Sequence, residues 1–275
     1  MQARAGEILE IRTKTYGDPV GVCIYCGETK GLTDEHVVPF ALNGNFILPK
    51  ASCKKCAAIT SAFELKVLRG FMLEARTAGQ FATRRPKERP LTLPLKVKRG
   101  DHLEAIALPS DESPGFLQLP ILDQPAFLTG RPSVSGVTLV GMDTLYFGRR
   151  PDDTLAALRT DSIQTTVTID VTAFVRMLAK IGYAFAVAAR GPYPLSEVPV
   201  LPLILGLADD GSTWVGSVDY NLVVEAKFPQ YGLGLVPLTV VVDGNTEEIL
   251  VAQIKLFASA GATGYEVVVR RRRVT

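Results

Sequence analysis

Four cysteines near the start of the chain form two pairs of identical spacing. Cys23 and Cys26 make one Cys-x-x-Cys pair, and Cys53 and Cys56 make the second. Since the chain of 275 residues contains four cysteines, none lies outside these pairs. Each pair can present two thiolates from one tight turn, and two such turns complete a closed tetrahedral Zn²⁺ site. The spacing therefore predicts a structural zinc ion that stabilises the fold. Four unrelated buried cysteines are the alternative.

The segment between the cysteine pairs contains the sequence DEHVVP at positions 34–39. His36 is one of two histidines in the chain. A lone histidine is more often a surface residue or a core residue with satisfied nitrogens. Here the carboxylate of Glu35 precedes the histidine directly, and a predicted metal-binding pair stands on each side. This combination favours a functional role for His36.

Taken together, these motifs resemble the HNH endonuclease family in its four-cysteine zinc form, which carries a hairpin and helix known as the ββα-metal fold. The resemblance covers residues 20–66. Its matching pieces are the Cys-Ile-Tyr-Cys pair, the Asp-Glu-His-Val-Val-Pro segment, Asn45 in Gly-Asn-Phe-Ile-Leu, and the Cys-Lys-Lys-Cys pair that opens a helix. The resemblance implies a metal-dependent endonuclease that hydrolyses DNA phosphodiester bonds.

The same resemblance implies a role for each residue between the cysteine pairs. His36 matches the general base that takes a proton from the attacking water, and an imidazole suits this role because it titrates near neutral pH. Glu35 matches an acidic ligand of a catalytic Mg²⁺ or another divalent cation, which would stabilise charge on the phosphate oxygens. Asn45 matches the central asparagine that helps to orient the base, and Asn43 is an equally placed alternative.

One position departs from the family pattern. An asparagine or histidine usually follows the last cysteine and completes the metal site, but this chain has Ala57, which cannot bind a metal. If a helix continues from Cys53, then Ala57, Thr60 and Glu64 lie on one stripe of it. Thr60 or Glu64 is then a candidate oxygen ligand for the catalytic ion, and Glu64 is the one we name.

Ala57 also leaves two other interpretations open. The first is a catalytically impaired zinc module that still binds nucleic acid. The second is a zinc-stabilised interaction protein whose remaining part binds a protein or a small ligand. The Glu35-His36 pair favours the nuclease over the interaction protein, because an interaction module needs neither residue.

Positive charge is concentrated in a few places, although the net charge is only +2. Lys54 and Lys55 stand at the predicted helix start, where backbone N–H groups favour a phosphate. We expect these lysines, with Arg84, Arg85 and the arginines at 270–273, to contact a nucleic-acid backbone without reading its sequence. DNA is the expected partner, and the sequence does not decide whether RNA is also bound.

The predicted fold class is α+β, with a boundary near residue 84. Residues 1–83 are expected to form the zinc-stabilised ββα-metal module, followed by a helix from Ser61 to about Thr77. Residues 84–90 have the composition of a basic, proline-rich linker. Residues 91–275 are predicted to form a larger α+β domain, rich in antiparallel strands and of unknown role.

Four elements are predicted in the second part of the chain. A β-branched strand is expected at 165–169, directly before a helix that Asp170 caps and that ends at Gly191. The sequence Asp243-Gly244-Asn245 between two apolar runs indicates a hairpin. A last strand is expected from 265 to 270.

Composition indicates an ordinary globular protein, with 47% hydrophobic and 21% charged residues, and excludes a disordered chain or a coiled coil. The N-terminal sequence lacks a continuous apolar stretch of the signal-peptide type. The best candidate for a membrane span, residues 171–189, contains Arg176 and Lys180. We therefore expect a cytoplasmic protein without a membrane partner.

Overall fold

The computed structural model describes residues 7, 8, 15–218, 231–242 and 244–274. Its strands are β1 Glu7–Ile8, β2 Thr15–Tyr16, β3 Leu32–His36, β4 Phe46–Cys53, β5 Thr92–Arg99, β6 His102–Pro109, β7 Pro114–Leu122, β8 Leu139–Gly148, β9 Ser162–Gln164, β10 Val215–Val218, β11 Tyr231–Val242, β12 Asn245–Leu256 and β13 Gly264–Arg273. Its helices are α1 Lys54–Arg69, α2 Leu73–Ala78, α3 Ala126–Thr129, α4 Pro151–Leu158, α5 Val171–Arg190, α6 Leu201–Leu205 and α7 Gly211–Trp214.

The strands form four sheets within the described residues. The largest has the order β1-β11-β12-β13-β10, and the others are β2-β4-β3, β6-β5-β9 and β7-β8. The strand pairs are antiparallel, with the exception of the short parallel pair of β2 and β4. The prediction of a mixed α+β protein with antiparallel sheets is confirmed.

Helix α5 forms the centre of the molecule. The Asp170 carboxylate accepts a hydrogen bond from the Ala173 N–H at 2.8 Å, and the helix ends at Gly191, whose φ is 82°. Both predicted ends are therefore confirmed. Nearly every residue from Ala173 to Val187 is buried, because the helix lies between the five-stranded sheet and helix α1. Such a helix is apolar on all sides because it is packed on all sides.

Close contact between α5 and the large sheet depends on Gly182. A Cβ atom at this position would lie 3.1 Å from Cβ of Ala252 and 3.2 Å from Cβ of Val267. By length and composition α5 could cross a membrane, but 78% of its most apolar window is buried inside the protein. The apolar character of α5 is thus accounted for by its place in the core.

The hydrophobic core is continuous from the N-terminal segment to the large sheet. Phe71 packs edge-on against Phe174 of α5, and Phe174 packs in turn against Tyr265 of β13, with ring centroids 5.7 and 5.4 Å apart. Residues on both sides of position 84 contribute to this core. The domain boundaries therefore stay a prediction.

The predicted hairpin and last strand are present. Strands β11 and β12 pair from Tyr231 opposite Leu256 to Val242 opposite Asn245, and β13 extends beyond the predicted strand at both ends. Asp243 of the hairpin turn lies outside the described residues.

Two element predictions were wrong. Residues 165–169 are irregular, and the strand is the preceding β9, which pairs with Lys96–Lys98 of β5. Residues 165–168 are exposed and no strand in the described part of the chain pairs with them, so β-branched composition alone does not make a strand there. The helix expected over 61–77 is α1 and α2, separated at Gly70, where a Cβ would lie 2.3 Å from the Lys66 carbonyl oxygen.

Glu266 of β13 makes the stability of this fold depend on pH. Burial raises the pKa of this carboxyl group from 4.5 to about 7. Because the folded protein holds the proton more tightly, the contribution to stability is complete below pH 4.5 and is lost as the pH rises through about 7. We expect the free energy of unfolding to fall by about 3 kcal/mol more between pH 4 and pH 8 in the wild type than in Glu266→Gln.

Urea unfolding at these two pH values measures the difference. Glu112→Gln, at an exposed carboxylate, is the control and should follow the wild type. Parallel pH profiles for the wild type and Glu266→Gln would show that Glu266 does not titrate in this way.

Candidate functional site

The four cysteine sulfurs converge on one point. Their Sγ atoms all lie within 4.8 Å of one another, and the Sγ atoms of Cys26 and Cys53 are 3.7 Å apart. A tetrahedral zinc with Zn–S bonds of about 2.3 Å requires sulfur–sulfur separations of about 3.8 Å. The predicted ligand set Cys23, Cys26, Cys53 and Cys56 can therefore hold a metal ion such as zinc.

Helix α1 assists the metal site through its N-terminus. Cys53 precedes the first residue of the helix, and its sulfur accepts a hydrogen bond from the Cys56 N–H at 3.5 Å. Burial acts to raise the pKa of Cys53, but this N–H and the neighbouring thiols lower it to about 7. In Cys56 burial dominates and raises the pKa. A cluster of thiols of this kind suits a metal that takes them as thiolates.

Strands β3 and β4 place the Glu35-His36 pair. Glu35 lies opposite Leu48 and His36 opposite Ile47 in an antiparallel ladder with an irregularity at Asp34. Because neighbouring strand residues point to opposite faces, Glu35 is buried while His36 is half-buried on the other face. Helix α1 begins immediately after β4. Two paired strands therefore precede helix α1 in this part of the chain.

Glu35 and Glu64 are close together, but they meet around a lysine. The Lys180 Nζ atom of α5 lies 2.7 Å from the Glu35 carboxylate and 2.9 Å from the Glu64 carboxylate. It also donates a hydrogen bond to the backbone carbonyl of His36. The Lys180 side chain is only 1% exposed, and that of Glu64 is 18% exposed. We call the side chains of Glu35, Glu64 and Lys180 the acid–lysine cluster.

Burial and the neighbouring charges together set the pKa values of the groups in the acid–lysine cluster. Burial raises the pKa of Glu35 and outweighs the opposing effect of the Lys180 ammonium group. Burial acts to lower the pKa of Lys180, but the two carboxylates outweigh it and raise this pKa. Lys180 is therefore a permanent cation between two acids.

The catalytic divalent cation that the resemblance implies does not fit this arrangement. The Lys180 ammonium donates a hydrogen bond to the His36 carbonyl and lies 2.7 and 2.9 Å from carboxylate oxygens of Glu35 and Glu64, so it occupies the space between the two acids. A cation bridging the two carboxylates would have to displace a buried ammonium group. Ala57 adds no ligand.

His36 belongs to a surface group at the far end of the β3–β4 hairpin. Its ring packs edge-on against Phe40 at a centroid distance of 6.3 Å, and the exposed Arg84 guanidinium lies 5.6 Å from the centroid of the same phenylalanine ring. We call His36, Phe40 and Arg84 the histidine face. Arg85 is also exposed, but it forms an ion pair with Glu88 at 3.1 Å.

Lys54 and Lys55 lie at the opposite end of the hairpin. Both are exposed on the first turn of α1, as predicted. Cys53 pairs with Leu32, whereas His36 pairs with Ile47. Four residue steps along β3 separate these positions by roughly 13 Å. The structure thus does not bring the two lysines to His36.

The two candidate asparagines have different partners. The Asn45 Oδ1 accepts a hydrogen bond from the Tyr231 hydroxyl at 2.6 Å, and the Asn43 Oδ1 accepts one from the Ala82 N–H at 2.8 Å. Asn43 therefore ties its loop to the backbone just before Arg84. Gly44 between them is required by space, because a Cβ would lie 1.9 Å from the Val38 carbonyl oxygen.

The arginines at 270–273 lie within the large sheet. They form the end of β13, and each is ion-paired with a glutamate. Arg270 binds Glu197 at 2.7 Å and Arg272 binds Glu248 at 2.6 Å, while Arg271 and Arg273 both contact Glu247. Much of their charge is therefore balanced within the protein.

Sequence analysis missed the part that α5 plays in the site. The Tyr183 hydroxyl donates to the Ile24 carbonyl at 2.7 Å, and the Tyr183 ring packs edge-on against Tyr25 in the first cysteine pair. Lys180 lies one turn earlier on the same face. A lysine inside an otherwise apolar helix is a signal for a buried acidic partner, because lysine is almost never fully buried unless it is paired.

Comparison with family models, with curated proteins and with solved structures finds no match to this chain.

Proposed function

We propose that this chain is a module of the HNH type that a zinc ion stabilises. It binds DNA by contacting the phosphates of the DNA backbone. The observation that carries the proposal is the combination of the four-cysteine cluster with a strand–strand–helix unit that exposes positive charge at both ends. Two thiolate pairs hold the hairpin and the helix start in a fixed relation. A rigid scaffold of this kind suits recognition of a phosphate backbone.

Basic side chains at both ends of the β3–β4 hairpin are placed to contact one strand of DNA. Among the residues that the structure describes, Lys54, Lys55 and Arg84 form no ion pair with a carboxylate, so their charge is available to phosphates. The lysines stand at the N-terminus of a 16-residue helix, whose N–H groups also favour an anion. A separation of roughly 13 Å along the hairpin corresponds to about four nucleotides along one strand of a duplex.

Hydrolysis with His36 as the base is a second candidate. Two observations favour it. The His36 side chain is only half-buried, and both His36 and Arg84 contact the Phe40 ring. In this case Arg84 would hold a phosphate near the imidazole, which would take the proton of the attacking water. No step in this scheme passes through a metal at Glu35.

Anisotropy of a labelled DNA duplex during a salt titration tests the proposal. We expect Lys54→Ala/Lys55→Ala to weaken binding about tenfold or more at about 0.1 M salt and to lower the salt slope by about 2, because each phosphate contact contributes about 0.9. Arg84→Ala should lower the slope by about 1. Arg272→Ala is the matched control, since its exposed guanidinium already binds Glu248.

The outcomes separate the interpretations. Absence of any salt-dependent association would contradict DNA binding and favour the interaction protein. Incubation with supercoiled plasmid then decides between the two nucleic-acid functions. Nicking by the wild type that disappears in His36→Ala supports hydrolysis, whereas binding by both proteins without nicking supports the binding module.

A further inference from the structure

We propose that the Lys180 ammonium takes the place of a divalent cation between Glu35 and Glu64, and that removal of Lys180 turns this pair of acids into a divalent-cation site. The inference concerns the metal requirement of the site on which the proposed function rests. It stands on the geometry of the acid–lysine cluster and needs no DNA.

The first support is the position of the charge. The two carboxylates come from different elements, β3 and α1, and they converge on one nitrogen at 2.7 and 2.9 Å. Each is supplied by the part of the chain in which the resemblance predicts a metal ligand, but the cation between them belongs to α5. A lysine nitrogen at these distances bridges the acids as a bound ion would.

The second support is the charge balance. Two carboxylates and one ammonium leave a formal charge of −1 when both acids are ionised. A divalent cation without Lys180 would bring the same pair to zero. Burying two charges of the same sign costs free energy. Binding a cation would offset this cost in a cluster that lacks its lysine.

The third support is a polar group without a partner. Among the described residues, the fully buried Tyr25 hydroxyl has no hydrogen-bond partner. The Tyr25 ring packs edge-on against Tyr183, which lies one turn after Lys180 on α5, with ring centroids 6.1 Å apart. Tyr25 therefore offers a hydroxyl oxygen without a partner near the face of α5 that carries Lys180.

Access is provided on the side of Glu64. Its side chain is 18% exposed, whereas the side chains of Glu35 and Lys180 are 8% and 1% exposed. A small ion can enter from this side once the lysine is shortened or made apolar. In the wild type the ammonium group closes the route.

Titration of the zinc-loaded protein with Mn²⁺ tests the inference, with free Mn²⁺ measured by electron paramagnetic resonance. We expect no Mn²⁺ site at the acids in the wild type up to millimolar concentration. Lys180→Met should gain one site that binds at least tenfold more tightly. Lys180→Met/Glu35→Gln should lose that site again, and Lys180→Arg, which restores a cation, should behave like the wild type.

Two results would overturn the inference. One is a Glu35-dependent Mn²⁺ site in the wild type, and this measurement stays decisive even if Lys180→Met fails to fold. The other is a Lys180→Met protein that retains zinc and a native near-UV spectrum but gains no site. Tb³⁺ luminescence excited through tyrosine gives an independent measure, since Tyr183 lies one turn after Lys180 on α5 and Tyr25 packs against it. Loss of DNA binding would change neither readout, so failure of the proposed function is distinguishable.

Discussion

Removal of the thiolate-bound metal is expected to unfold the N-terminal part of this protein and to lower its thermal stability strongly. The cysteine pairs fix residues 23–26 and 53–56, and these segments bury Ile24 and Tyr25 in the common core. The four sulfurs lie within 4.8 Å of one another, so a metal ion bound there would join the two segments. Structural zinc sites contribute folding free energy directly, so a loss on the order of 5 kcal/mol or more is expected.

Stoichiometry and melting curves measure this effect. One zinc per chain should be released by a strong chelator, together with a large fall in Tm that added zinc reverses. Cys53→Ser should reproduce the loss, because Cys53 joins β4 to α1. Ser61→Ala, at an exposed position on α1, is the control. A protein that carries no zinc after purification and melts at the same temperature with and without chelator would contradict the metal site.

Lys180→Met is expected to lower the free energy of unfolding by about 3–5 kcal/mol, because it leaves Glu35 and Glu64 without their cation and the His36 carbonyl without its donor. The cost comes from an uncompensated buried charge. Adding Glu35→Gln should therefore recover a large part of the loss, although each substitution alone removes an ion pair. Such non-additivity is expected for residues in one network.

The exposed Lys66 is the control that shows whether the burial of Lys180 causes the expected loss of stability. Lys66→Met removes an ion pair with Asp170 at 3.4 Å, but both partners are exposed, so a change below about 0.5 kcal/mol is expected. Urea unfolding without added divalent cation is measured for the wild type, Lys180→Met, Glu35→Gln, the double variant and Lys66→Met. Equal effects of Lys180→Met and Lys66→Met, or no recovery by Glu35→Gln, would show that the acid–lysine cluster does not stabilise the fold in this way.

Structural features that depend on a few neighbouring residues were predicted correctly. The two Cys-x-x-Cys pairs, the Asp170 cap and the hairpin around Gly244 each depend on a few residues close in sequence, and the structure contains all three. Turn and cap chemistry of this kind is decided locally. The break at Gly70 was missed because a helical pattern continues on both sides of it.

Composition misled where pairing decides the outcome. The β-branched residues 165–169 have no strand beside them within the described part of the chain and stay irregular. The run of arginines at 270–273 did not reveal that these residues belong to a strand, β13, in which Arg272 and Arg273 stand opposite Glu248 and Glu247 on β12. A charge run shows where positive charge lies along the chain, but it does not show which carboxylates are near.

By itself the sequence determined the two cysteine pairs that can hold a metal ion and the ends of helix α5, because each of these features depends on residues close together in the chain. Only the tertiary structure decided what the acids next to His36 bind. Lys180 stands 144 residues after His36 and reaches its carbonyl because α5 packs against α1 in a shared core. A contact over such a distance follows from the packing of whole elements, and no local pattern encodes it.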